Sequence, residues 1–265
     1  MNSVNQTLYI PLYGKAYVSR LGIILHDPKA EEIWNREGFK LKGKSRSKWL
    51  AYYMAMRSAV FDRWLKEKME LQPNAAVVHI GCGMDSRILR VGQQNHIWFD
   101  LDFPEVICER RRYYEESETY RMLGYDVTNL AWLEQMPKGQ GIVLMEGVSM
   151  YLPPEELKRI LAAICGHFEH VDLLMDCYTT FAARASKVKN PINDVGVTRV
   201  YGLDDPKEAE QSGFQFVAEQ EMTPQDLIEE LRSADKRIFK TLFAGAISRK
   251  LYRLYAYCGQ SVRIP

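Results

Sequence analysis

Residues Ala75–Asp85 read AAVVHIGCGMD. An apolar run from Ala75, interrupted by His79 and closed by Ile80, predicts a short buried strand. Gly81-Cys82-Gly83 then turns the chain into a helical pattern that starts near Asp85. A glycine at such a turn takes φ > 0 without steric cost and lets a ligand approach the backbone. The N–H groups opening the next helix favour negative or hydrogen-bond-accepting groups. This is the pattern of a nucleotide-cradling turn, although Gly-x-Gly also occurs in ordinary strand-to-helix turns, so its meaning depends on what flanks it.

Around and beyond the glycine turn, short apolar runs alternate with helical stretches. Strands are predicted at 75–81, 96–102, about 120–126, 141–147 and 170–177, and helices at 85–92, 104–117, 129–135 and 153–168, two of them opened by Pro104 and Pro153-Pro154. Two later runs, Phe214–Gln220 and Leu251–Cys258, predict an antiparallel pair at a sheet edge. The expected fold class is therefore α/β, a doubly wound, mostly parallel sheet of seven strands. Upstream, Tyr13–Leu25, Pro28–Glu37 and Trp49–Met69 read as helices, a cap over residues 1–70 on a core spanning 71–265, all in one domain. The stretches of about 178–211 and 224–250 are expected to build a lid.

The composition narrows the function. With 35 basic and 34 acidic residues the formal net charge is +1, which gives no electrostatic footprint for nucleic acid. The basic run Lys40, Lys42, Lys44, Arg46, Lys48 has no interleaved aromatic residue and reads as a solvated loop. Five cysteines without a CxxC pair suggest neither a disulfide framework nor a zinc site, so no metal is expected and a reducing cytoplasm fits. Neither a secretory leader nor an apolar run of about 18 residues is present, so no membrane span is expected.

Ligands of a doubly wound sheet bind beyond the carboxyl ends of its strands, and here those ends are acidic: Asp85 after the first, Asp100 and Asp102 on the second, Asp126, Glu146 and Asp176 on the next three. Asp100 and Asp102 lie 19 and 21 residues after Gly81, the right distance for a carboxylate that accepts hydrogen bonds from a ribose. NAD and S-adenosylmethionine share that feature. The third glycine of a dinucleotide fingerprint is replaced by Ser86, and Asp85 beside it would repel a pyrophosphate. On the third helix Tyr53, Arg57, Phe61 and Trp64 share one face, placing Arg57 in an apolar stripe. It either snorkels to water or, if buried, must be paired. S-adenosylmethionine accounts for both oddities, its ammonium suiting Asp85 and its carboxylate suiting a bidentate Arg57.

These residues resemble the leucine carboxyl methyltransferase family, which includes protein phosphatase methyltransferases and polyketide-biosynthesis O-methyltransferases. The resemblance runs through YGKAY near Lys15, AMRSAVFD around Arg57, HIGCGMDSR, WFDLDFPEVI, YDVTN, MEGVSMYLP and the closing KLYRLYAY. It implies a class I, Rossmann-like methyltransferase that binds S-adenosylmethionine and releases S-adenosylhomocysteine. By the same resemblance, Arg57 and Lys15 hold the methionine carboxylate, and Gly81, Cys82 and Gly83 lie against the methionine portion. Asp102 binds the ribose with Asp100 adjacent, Asp126 and Val127 contact the adenine edge, and Glu146 faces the methionine amino end. No general base is identified. Tyr151 and Tyr178 are expected to line the acceptor pocket.

The leading expectation is an O-methyltransferase acting on a carboxylate or phenol of a small molecule. The rivals are a methyltransferase for a protein's C-terminal carboxylate, an NAD-dependent oxidoreductase and a non-catalytic S-adenosylmethionine-binding module. Arg57→Ala is expected to lose cofactor affinity while the fold survives.

Overall fold

The computed structural model describes residues 8–38, 41, 43–186 and 199–261. Three helices open the chain: α1 (Tyr9–Leu21), α2 (Pro28–Glu37) and the long α3 (Lys48–Leu71). Pro11 stands inside the first turn of α1, where its missing N–H is not needed, so that helix begins earlier than its proline suggested. It ends at Gly22, whose φ of 65° lets its N–H and that of Ile23 reach back to Ser19 and Val18. Asp27 caps α2 by accepting from the Ala30 amide, and Ser47 caps α3. Nearly all of α3 from Ala51 to Leu65 is buried, because one face packs on α1 and the other on the sheet.

The sheet has seven strands: β1 (Ala76–Ile80), β2 (Trp98–Asp102), β3 (Tyr120–Gly124), β4 (Gln140–Met145), β5 (His170–Tyr178), β6 (Phe214–Gln220) and β7 (Tyr252–Gln260). Their order is β3-β2-β1-β4-β5-β7-β6. The first five run parallel, and β7 lies antiparallel between β5 and β6. The doubly wound α/β core and the terminal antiparallel pair are thus as the apolar spacing predicts. Order reverses at β1, which places the glycine turn at the switch point. Alternation along the strands divides the core. Val77, Trp98, Ile142, Leu144, Leu174 and Leu254 face the cap helices, while Val78, Phe99, Leu101, Val143, Met145, Leu173 and Tyr255 face the opposite layer.

Between strands lie α4 (Arg87–Val91), α5 (Pro104–Arg110), a 3₁₀ turn (Leu130–Gln135) and α6 (Pro154–His167). The expected helix over 104–117 stops at Arg110, because Glu116 instead accepts the Met122 amide and Ser117 turns back onto Tyr120. After β5 comes α7 (Thr180–Ala185), and before β7 come α8 (Gln225–Glu229), α9 (Ser233–Leu242) and α10 (Ala246–Arg249). These last helices pack on the cap: Phe243 stacks on Trp49, and Asp235 accepts from Tyr52 and pairs with Lys48. Residues 187–198 of the expected lid, and Lys40 and Lys42 of the basic run, lie outside the described residues. Among the described residues no helix is long and apolar enough to cross a membrane.

Candidate functional site

At the end of β1 the chain passes through Gly81, with φ of 68°, and Gly83, with φ of 50°. The Gly81 and Cys82 amides donate to Leu101 O, tying the turn to β2. Asp102, the last residue of β2, clamps it: one carboxylate oxygen accepts from Gly83 N at 2.7 Å, the other from Phe103 N at 2.8 Å. Burial pushes the Asp102 carboxyl up to about 6, against the pull of those two amides. A Cβ on Gly81 would lie 2.2 Å from Val148 Cγ2, whereas one on Gly22, at nearly the same φ, would meet nothing within 4 Å. Gly22→Ala should therefore cost only the left-handed backbone term of about 1–2 kcal/mol. Gly81→Ala should cost a further ~1–3 kcal/mol of overpacking. Thermal melting of the two variants measures the difference, and equal losses would show that Val148 yields freely.

The turn forms one wall of a cavity of about 900 Å³ at the carboxyl ends of the parallel strands. Gly81, Cys82, Gly83, Asp85, Asp102, Asp126 and Val127 line it on the β1–β3 side. Lys15 and Arg57 reach it from the cap, Glu146 from the end of β4, and Tyr151 and Tyr178 from the β4–β5 side. Asp100 does not line the cavity. It is wholly buried, accepts from Trp98 Nε1 and Tyr120 and pairs with Arg110, so the two acids of β2, alternate residues on one strand face, have separate tasks.

Arg57 is 3% exposed and does not snorkel. Nε donates to Glu146 at 2.9 Å and Nη1 to Asp176 at 2.8 Å. Nη2 makes no hydrogen bond among the described residues and sits beside Gly147, where a φ of 73° favours glycine and the missing Cβ leaves the approach open. The carboxylates that a buried arginine needs are thus supplied by the protein, and Arg57 presents one nitrogen rather than a two-pronged fork to a ligand. The Asp85 reading also changes. Lys15 at 3.0 Å, Arg90 at 2.7 Å and Arg87 at 3.5 Å surround it and, against the effect of burial, hold it well below the usual carboxylate range. A carboxylate so compensated is a poor ground for excluding a pyrophosphate.

These pairs belong to one buried network. Arg87 joins Glu146 to Asp62, Arg90 joins Asp62 to Asp27 and Asp85, and Ser58 also donates to Glu146. Burial resists ionisation of Glu146, yet Arg87 and Arg57 pull it down to about 2. Among the described residues, the four cations Lys15, Arg57, Arg87 and Arg90 face the five carboxylates Asp27, Asp62, Asp85, Glu146 and Asp176, which leaves one formal negative charge behind the cavity wall. His79 is neutral, since burial and Arg87 lower its pKa. Arg87, which can only donate, bonds its Nε2, so its proton lies on Nδ1, facing Asp100.

Several residues of the site carry no local signal in the sequence. Asp176 reads as a strand-end acid, with nothing near it to mark it as the second anchor of Arg57. Phe103, next to Asp102 in WFDLDFPEVI, lines the cavity, as do Trp49, Tyr53 and Phe243. Tyr252 was visible only as part of KLYRLYAY.

A model of the leucine carboxyl methyltransferase family matches residues 11–165, more than half of the chain. The chain belongs to this family. Over 262 residues it is 26% identical to the tetracenomycin polyketide synthesis O-methyltransferase TcmP of Streptomyces glaucescens, covering 97% of both chains. Over 236 residues it is 28% identical to the S-adenosyl-L-methionine-dependent methyltransferase dpfgK of Gibberella zeae, covering 79% of this chain and 78% of that one. Its fold is similar to that of magnesium protoporphyrin IX methyltransferase from Synechocystis with bound S-adenosylhomocysteine, at a TM-score of 0.51 and 14% identity over 88% of this chain and 93% of that one. This member of the leucine carboxyl methyltransferase family is an S-adenosylmethionine-dependent methyltransferase.

Proposed function

We propose that the protein is an O-methyltransferase for a small molecule carrying a carboxylate or phenol, of the aromatic polyketide type. The observation that carries this reading is the cavity itself. Its volume of about 900 Å³ is in the range of small-ligand sites, and beyond the glycine turn its wall is aromatic and aliphatic. The full-length likeness to TcmP supports it.

The residues fit the methyl donor, whose sulfonium supplies an electrophilic methyl group. S-adenosylmethionine carries one net positive charge at neutral pH, and the buried network behind the wall carries one formal negative charge. Lys15 and Arg57 Nη2 are the cationic groups of the wall that suit its carboxylate. Asp85 and Glu146 set the negative potential for its ammonium, and Gly81, Cys82 and Gly83 give it close approach to backbone. Asp102 suits the ribose hydroxyls. Asp126, one of whose oxygens is taken by Thr128, is placed with Val127 and Phe103 for the adenine. The chain's contribution to rate is alignment and exclusion of water. Holding donor and acceptor in a near-attack geometry can remove roughly 7–11 kcal/mol of the barrier.

Calorimetric titration with S-adenosylhomocysteine and with NAD tests the donor, and NAD binding alone would sink the reading. Methylation of aryl carboxylates and phenols, compared with a peptide bearing a free C-terminal carboxylate, tests the acceptor; turnover of the peptide alone would favour the protein-carboxylate alternative.

A further inference from the structure

The closing motif KLYRLYAY carries an unassigned feature. In β7 the alternation sends Tyr255 and Tyr257 into the layer away from the cap, but Tyr252 toward the cavity. Because β7 runs antiparallel to β5, its first residue lies at the carboxyl end of β5, and Tyr252 stands directly opposite Tyr178 in register. Their rings meet edge-on with centroids 4.6 Å apart. Tyr53 of α3 closes the group at 5.8 Å from the Tyr252 ring, with its own hydroxyl held by Ser248 at 2.7 Å. The backbone beneath is fixed, since the Thr179 amide and hydroxyl bind Leu251 O and Lys250 O. Along the sheet, Asp102 lies over β2, the glycine turn over β1, Glu146 over β4, and the tyrosines over β5 and β7. They therefore stand beyond the methionine end of the donor site, where an acceptor must enter.

Resting on the methyltransferase reading above, we propose that the Tyr252 hydroxyl, its ring held in place by the edge-on Tyr178 ring, donates a hydrogen bond to the acceptor oxygen, positioning it for attack and selecting acceptors that arrive ionised, as carboxylate or phenolate. Burial keeps the Tyr252 hydroxyl protonated far above neutral pH, with Tyr178 adding to the effect and Arg57 opposing it. Such a group gives a hydrogen bond but does not take up a proton. In the step itself, an oxygen lone pair of the acceptor forms the new C–O bond to the methyl carbon while the C–S bond breaks and its electron pair stays on sulfur. The negative oxygen becomes a neutral ester or ether, the positive sulfonium a neutral thioether, and no proton moves. A hydroxyl donor holds the oxyanion in place without removing the charge that makes it nucleophilic.

The test uses protein saturated with S-adenosylhomocysteine and two probes, 2-naphthoate and methyl 2-naphthoate, which share a ring system but differ in the oxyanion. The wild type should prefer the naphthoate. Tyr252→Phe should weaken naphthoate binding roughly 10- to 150-fold, the range of one hydrogen bond to a charged group, while ester and S-adenosylhomocysteine affinities stay within about twofold. Equal losses for both probes, or no naphthoate preference in the wild type, would overturn the assignment. Should Tyr252→Phe fold poorly, Tyr178→Ala, which removes the ring that holds Tyr252 in place, must reproduce the selective loss in smaller measure, and an unchanged preference there would also overturn it. Absence of S-adenosylhomocysteine binding by the wild type would instead sink the donor-site reading on which the proposal stands.

Discussion

Arg57→Ala is expected to destabilise the protein by about 3–5 kcal/mol, the usual consequence of removing one partner from a buried ion pair. For a chain of this size that lowers the melting midpoint by about 10 °C. The fold-neutral outcome inferred from an arginine on an apolar stripe does not hold once its partners are known. Glu146 would keep Arg87 and Ser58, but among the described residues the Asp176 carboxylate would retain only the Gly147 amide, in a wholly buried position. Its carboxyl, already raised by burial, would rise further and become protonated. Asp176→Asn placed on top of Arg57→Ala should therefore restore part of the loss. Melting curves of the single and double variants measure this, and a double variant no more stable than Arg57→Ala would mean that Asp176 is not the group left stranded. Addition of S-adenosylhomocysteine should raise the midpoint of the wild type more than that of either variant.

Asp102→Ala is the change expected to harm donor binding most. With Asp102 as the proposed ribose acid, it removes a charged acceptor for the ribose hydroxyls, and it releases the Gly83 and Phe103 amides. A loss of about 2–4 kcal/mol follows, roughly 30- to 700-fold in Kd. Acidity should mimic it. With the carboxyl of the free protein at about 6, ribose binding needs the ionised form, so affinity is level above pH 6 and falls about tenfold per unit below it. Asp102→Asn should bind more weakly throughout and lose that dependence between pH 5 and 7. In the free protein the sign is opposite: the folded state holds a proton on Asp102 that the unfolded state has released between about pH 4 and 6. That contribution to stability therefore declines as pH rises through this window. Calorimetry across pH 5–8 decides, and a flat wild-type profile would show that Asp102 is not the ribose acid.

The parallel core was legible because its strands are buried on both faces and its turns are marked by glycine and proline. The cavity lining at the strand ends was legible for the same reason, since Gly81, Gly83, Asp102, Asp126 and Glu146 sit at strand ends that the spacing defines. What the chain concealed was partnership. Nothing local to Arg57 reveals that Glu146, 89 residues on, and Asp176, 119 residues on, supply its counter-charges. Asp100 and Asp102 look equivalent until register shows one reaching Arg110 and the other the glycine turn. Tyr252 was hidden by its neighbours, because a strand carrying Tyr252, Tyr255 and Tyr257 looks uniformly aromatic until the sheet shows which face each tyrosine takes.

The insertion of β7 between β5 and β6 has a consequence for the order of assembly. Among the described residues β6 has no other neighbour in the sheet, and β5 has no other partner on that side. The half of the cavity proposed for the donor is built mostly from residues up to Glu146, with Asp176 as a later anchor of Arg57, so most of it precedes residues 252–260 in the chain. Tyr252 reaches the cavity only when residues 252–260 thread back some 75 positions to meet β5, a non-local pairing of the kind that forms slowly. A nascent chain therefore holds most of the proposed donor wall before it gains the tyrosine proposed to face the acceptor.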